Sequence, residues 1–102
     1  MKNLVTIIIV SFKSKNIIEK SIKCIKKDIS IIIIENSQDI ILKKKLEKKY
    51  KNVKVILNKN KGFGQAANLG VKNTKSKYLL LSSPDIIFKV DPIKYFSNIA
   101  KK

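Results

Sequence analysis

The chain has 102 residues, which bounds it to a single domain with a small core, and 44% of them are hydrophobic, an ordinary share for a globular protein. Its net charge of +16 comes from lysine alone, since the sequence contains no arginine. The sequence also has no histidine and one cysteine, Cys24, which excludes histidine-based triads, most zinc sites and any internal disulfide.

Residues 5–12 (VTIIIVSF) are almost continuously apolar and β-branched, as in a strand buried on both faces of a parallel sheet. They lead to no small-residue cleavage site, so a strand is expected and not a signal peptide. Asn16, with Glu19 three residues on, has capping-box spacing and predicts a helix that ends near Lys27 or Asp28. Ile18, Ile22 and Ile25 share its apolar face, and Cys24 is expected as a small core residue on it.

Residues 31–34 predict a second buried strand that ends in the polar cluster Glu35-Asn36-Ser37. A helix over residues 39–50 follows, with Leu42, Leu46 and Tyr50 at i, i+4 and i+8. Residues 53–57 alternate and predict a third strand. Residues 58–64 form a glycine-bearing turn, and a helix beyond it carries Ala66, Ala67 and Gly70, small residues that allow close approach to a sheet or a ligand. Residues 78–81 predict a fourth strand ending in Ser82-Ser83-Pro84-Asp85. Residues 86–90 are short and extended, and Asp91-Pro92 opens a last helix, proline being favoured at the first helical position. The apolar run Ile86, Ile87, Phe88 has little chain after it, so exposed apolar surface is expected beside the fourth strand. No apolar run approaches the roughly 20 residues of a membrane span.

Strand and helix alternate four times, which predicts an α/β fold: a three-layer α/β/α, Rossmann-like domain with a parallel sheet in order 3-2-1-4 and right-handed crossovers. In such sheets ligands bind outside the carboxyl ends of the strands. Phe12, Glu35 and Asp85 therefore fall on one rim, with residues 60–68 along a wall. A nucleotide needs an apolar wall for its base, a carboxylate or amide for base or ribose, and positive charge for its phosphates, and the rim carries all three kinds of group.

Four segments carry a resemblance to a family. TIIIVSF resembles the first strand of the family 2 glycosyltransferases of GT-A fold, in their rhamnosyltransferase-like branch, and IIIIENS resembles their second, which usually ends Val-Asp-Asn-x-Ser. NKNKGFGQAANLGV is similar to their Asn-x-Gly-Phe-x-x-Ala-x-Asn-x-Gly segment, and YLLLSSPDIIF to Leu-Leu-Leu-Asn-Pro-Asp, the branch's version of the Asp-x-Asp metal motif. The order and spacing are family-like through nearly the whole chain. The resemblance implies a sugar transferred from a nucleoside-diphosphate sugar, UDP- or dTDP-linked, to a glycan or lipid-linked acceptor, as in cell-wall or polysaccharide biosynthesis. Ser11 and Phe12 would lie along the base, and Glu35 would take the place of the family aspartate that holds base or ribose. Asn36, Asn60, Gly62, Phe63, Asn68 and Ser83 would line the nucleotide-sugar pocket, and Asp85 would ligate Mn²⁺ or Mg²⁺ at the diphosphate. It further implies a cytoplasmic protein, allows peripheral association with the cytoplasmic membrane face, and leaves no role for nucleic acid.

This chain departs from the family pattern at three points. Glu35 is one methylene longer than the usual aspartate, Ser83 stands where many relatives carry the first acid of Asp-x-Asp, and family members generally continue well past residue 102, where the catalytic base is expected. The chain is accordingly expected to be the amino-terminal, donor-binding half of an enzyme. Two other readings stay open on the residues themselves. One is a basic α/β module that binds nucleic acid or anionic lipid through lysine charge. The other is a flavodoxin-like or receiver-like domain, though a receiver needs acids after its first strand, where this chain has Ser11-Phe12. The lysine excess also fits an A/T-rich coding sequence, since Ile and Asn are abundant with Lys.

Overall fold

The computed structural model describes residues 4–84. Four strands, β1 (Val5–Ser11), β2 (Ser30–Glu35), β3 (Val53–Leu57) and β4 (Tyr78–Ser82), alternate with three helices, α1 (Ile18–Lys23), α2 (Ile40–Lys49) and α3 (Phe63–Lys72). The strands form one sheet in the order β3-β2-β1-β4, and every pairing is parallel. The order and direction expected from the sequence are those observed. The expectations for residues 86–90, for the Asp91-Pro92 helix and for the Ile86–Phe88 run lie outside the described residues.

The apolar character of β1 and β2 follows from cover on both faces. Successive side chains of a strand point to opposite faces. Val5, Ile7 and Ile9 join Ile31, Ile33, Val53 and Val55 in a core closed by α1 and α2 through Ile18, Ile22, Leu42 and Leu46. Ile8, Ile32 and Ile34 face the other way, against Ala66 of α3. On that second face, a Cβ added at Gly70 would stand 2.6 Å from the buried Ile8 Cγ2, so glycine lets α3 lie directly on β1.

β3 is an edge strand, and α2 covers its free backbone groups. Val55 N–H donates to Glu47 Oε2 at 2.8 Å, and Lys43 Nζ donates to the Val55 carbonyl at 2.6 Å while pairing with Glu47 at 3.0 Å. Side chains that occupy an edge this way block pairing with another chain. Burial raises the Glu47 pKa, but the Val55 N–H and Lys43 more than offset it, and the net direction is down.

α1 differs from its sequence expectation. Asn16 and Glu19 do not form a capping box: Ile17 is the N-cap and no side chain caps the helix. The turn into it is made by the Ser14 carbonyl, which accepts from Ile17 N and Ile18 N at 3.0 Å each. Glu19 is drawn instead to α2, where Lys49 Nζ and Tyr50 Oη donate to Oε2 at 2.9 and 3.2 Å and Lys45 Nζ lies 3.3 Å from Oε1. Two ammonium groups and a phenol outweigh one backbone N–H. The helix also ends at Lys23, four residues early, because turns such as Ile25 N to Ile22 O (3.0 Å) fold Ile25 into the core. Cys24 caps that end, half-buried, with Sγ donating to the Lys20 carbonyl at 3.2 Å. α2 agrees closely with expectation: Asp39 caps it by accepting from Leu42 N at 3.0 Å.

Two outcomes are expected. The hydrogen bond from Lys49, opposed by burial and aided by Lys45 and Tyr50, lowers the Glu19 pKa from 4.5 to about 2. A depressed folded-state pKa gives stability that is complete above pH 4.5 and disappears as pH falls through about 2. Because the two lysines are about half exposed, the contribution is taken as only about 1 kcal/mol. Urea midpoints of Glu19→Gln should therefore trail the parent at pH 7 and meet it near pH 2. In the second, Gly70→Ala should cost about 1–2 kcal/mol, overpacking against Ile8 outweighing alanine's better helix propensity.

Candidate functional site

Because all four strands are parallel, their carboxyl ends share one rim, and the sheet places Ser11 of β1 directly beside Glu35 of β2. Both side chains fall on the face covered by α1 and α2, and both are fully buried. Ser11 Oγ donates to Glu35 Oε1 at 3.2 Å. Glu35 Oε2 accepts from Ser37 N (3.0 Å), Ser37 Oγ (2.6 Å) and Asp39 N (3.0 Å). The backbone continues the contact: Asn36 N donates to the Ser11 carbonyl at 2.7 Å, and Lys13 N donates to Ser37 Oγ at 3.0 Å. Thus Ser11 and Glu35 meet as the sequence suggested, but they spend their polar atoms on each other and on the turn that leads into α2.

Asn36 falls on the opposite face and is 6% exposed. Its Oδ1 accepts from Asn58 Nδ2 at 2.9 Å, and the same Asn58 amide reaches Gln65 Oε1 of α3 at 2.8 Å. This amide chain joins the ends of β2 and β3 to the first turn of α3. Asn58 is absent from the site expected from the sequence, and Gln65 lies within the expected wall of residues 60–68 without having been given a role. Asn58 directly follows β3, so the strand-end rule that singled out Glu35 applies to it equally.

The wall from residue 60 onwards is shaped by its own turn. Asn60 Oδ1 accepts from Gly62 N at 3.1 Å, and Gly62 takes φ 97° and ψ 165°, a conformation open to glycine. α3 then begins with no side-chain cap, leaving its first N–H groups at the rim. Phe63 is 56% exposed and Asn68 is exposed on the same helix. Phe12, just past β1, is 50% exposed with Lys13 Nζ 5.3 Å from its ring centre. The rim thus offers two open rings, Phe12 and Phe63, although aromatic side chains are usually buried. Ser83 follows β4 on this edge and is half-buried. Asp85, the expected metal ligand, lies outside the described residues.

Among the described residues no three acids, cysteines or histidines gather in a metal-binding group. Glu35, the acid at the described rim, is fully buried, and its carboxylate accepts four hydrogen bonds from its own chain.

At the opposite, amino edge of the sheet, a cavity of about 680 Å³ is lined by Thr6, Asn52, Thr74 and Ser76 with Lys51, Lys54 and Lys75. It has no acid and lies away from the strand ends where ligands of open α/β sheets bind, so the carboxyl edge is taken as the site.

Over residues 6–100 the sequence matches the family model of glycosyl transferase family 2. The chain belongs to this family. In structure it is similar to the crystal structure of S. aureus TarS, with TM-score 0.78 and 16% identity, over 96% of this chain and 19% of that one. It is equally similar to S. aureus TarS 1-349, with TM-score 0.78 and 16% identity, over 96% of this chain and 32% of that one. Likeness at this identity shows the fold, and with the strand order it bears out the GT-A type of sheet expected from the sequence. The chain thus spans about a fifth to a third of those two proteins. No curated protein matches it in sequence.

Two residues other than glycine have positive φ among those described, Lys13 at 51° and Gln38 at 55°. They flank the Ser11–Glu35–Ser37 network, one in each turn, and left-handed backbone at a non-glycine residue costs about 1–2 kcal/mol. Gln38 is exposed, so the backbone alone decides the effect of replacing it. Gln38→Val is expected to lose about 1 kcal/mol or more in urea unfolding, while Gln38→Gly stays within about 0.5 kcal/mol of the parent.

Proposed function

We propose that this chain forms the donor-binding part of a glycosyltransferase that moves a sugar from a nucleoside-diphosphate sugar, UDP- or dTDP-linked, to a glycan or lipid-linked acceptor. The supporting observation is the presence together, at the carboxyl edge of a family 2 sheet, of an open aromatic ring, a partly buried amide chain and an uncapped helix start. Each suits one part of such a donor. Phe12 gives a face on which a base stacks. The Asn36–Asn58–Gln65 amides lie between base wall and helix, where ribose hydroxyls need partners. The α3 N-terminus, opened by Gly62 and Gly64, suits an anion because unpaired N–H groups and the helix dipole both favour negative charge.

Asp85 would hold the Mn²⁺ or Mg²⁺ that neutralises the departing diphosphate, the chemistry such an ion supplies when bound. With Ser83 in place of a second acid, Asp85 would hold it alone, and weak metal affinity follows. Lys13 and Lys61 add positive charge near the phosphates. The donor class puts the reaction in the cytoplasm or at the cytoplasmic membrane face, a placement that rests on the family.

Calorimetric titration with UDP and dTDP, with and without Mn²⁺, tests this reading. Binding should strengthen with Mn²⁺, and Asp85→Asn should abolish most of that gain without changing the circular dichroism spectrum. Phe12→Ala should weaken binding by about tenfold or more, as loss of one base–aromatic stack costs about 1–3 kcal/mol. Affinity that ignores the metal and both substitutions would reduce Asp85 and Phe12 to turn residues.

A further inference from the structure

Glu35 is a fully buried acid in a small domain, and its carboxylate accepts four hydrogen bonds from its own chain: one from β1 and three from the turn that starts α2. Its reach explains the pattern. The glutamate side chain carries one methylene more than aspartate, which lets Oε2 curl back to two N–H groups, at Ser37 and Asp39, while Oε1 stays on Ser11. Ser37 extends the network to the other turn, since its hydroxyl donates to Oε2 and accepts from Lys13 N. The two left-handed residues, Lys13 and Gln38, stand at the two ends of what this carboxylate ties together. Phe12, the exposed ring, sits between Ser11 and Lys13, both of which the network holds.

We infer that Glu35 is a positioning residue: its carboxylate locks the turns after β1 and β2 together in their strained form, so setting Phe12 and Lys13 at the rim, and it does not touch the donor. The part of this that concerns a donor rests on the nucleotide reading above; the lock itself does not. Recognition of the ligand at the end of β2 then falls to Asn36 on the other face, through the amide chain with Asn58.

Aspartate and glutamine at position 35 separate the two roles. As a ligand of base or ribose, aspartate would serve as well as glutamate. As a lock it is too short, and glutamine, which places an NH₂ among donors, is equally unsuited. Amide hydrogen exchange by NMR on the full chain, with titrations of UDP and GDP, reads both roles. In Glu35→Asp and Glu35→Gln, exchange at Ser37 and Asp39 should speed up by about tenfold or more. UDP and GDP should weaken by one common factor, leaving their ratio unchanged, because a displaced rim affects every base alike. A Glu35→Asp variant that binds UDP as tightly as the parent would overturn the inference. So would a Glu35→Gln variant whose UDP-to-GDP ratio shifts while exchange at Ser37 and Asp39 stays as in the parent. If neither variant folds, Ser37→Ala, which removes one donor to Oε2, should show the same pattern at smaller amplitude, and unaltered exchange at Asp39 would overturn the inference. A parent chain that binds neither nucleotide overturns the donor reading, and the exchange rates then decide the lock by themselves.

Discussion

Strand β1 hydrogen-bonds in parallel to β2 on one side and β4 on the other, and both of its faces are covered by helices. Every other feature of the molecule depends on that double burial. It demands the run of isoleucines from Ile7 to Ile9, with the polar residues Thr6 and Ser11 confined to the two ends of the strand. It forces crossovers through helices, since parallel strands cannot be joined by tight turns. It also delivers the ends of all four strands to one edge, so that the first polar residues after each buried run become neighbours. The rim is thus a consequence of the core: Ser11 and Glu35 meet because Ile9 and Ile33 are paired in register just below them.

The period of two that fills the core also sorts the rim. Ser11 and Glu35 continue the rows of Ile7–Ile9 and Ile31–Ile33 toward α1 and α2, where water is excluded and a carboxylate must find internal donors. Asn36 continues the row of Ile32 and Ile34 toward α3, where Asn58 and Gln65 meet it. Adjacent residues of one strand end therefore divide between two networks, Glu35 bonded to the turns and Asn36 to the amide chain. The positive φ at Lys13 and Gln38 belongs to the same division, because turns tied by a buried acid tolerate backbone that free turns do not.

The sheet was legible in the sequence because its signals are strong and redundant. Four apolar runs of strand length, separated by helical periodicity, admit few topologies, and strand order 3-2-1-4 followed from placing the most buried run in the interior. The family was legible because four short motifs stand in order. The roles within the rim were harder to read. Glu35 looks like any strand-end acid until the pleat direction shows it facing α1 and α2. Asn58 lies in a segment that reads as a turn, yet it directly follows β3 as Asn36 follows β2. The Asn16–Glu19 spacing pointed to a cap, and the cap lost to Lys45, Lys49 and Tyr50, tertiary partners that no local pattern contains. Asp85 lies outside the described residues, so its part in a site still stands on the motif.

The location of the nucleotide is the central claim, and amide chemical-shift mapping of the chain during a UDP titration tests it most directly. A ligand at the carboxyl edge perturbs residues 11–14, Asn36 and residues 58–64, with saturation at a common affinity. Perturbations confined to Thr6, Asn52, Thr74 and Ser76, around the lysine-lined cavity at the amino edge, would contradict it and make the chain a binder of anions through its charge.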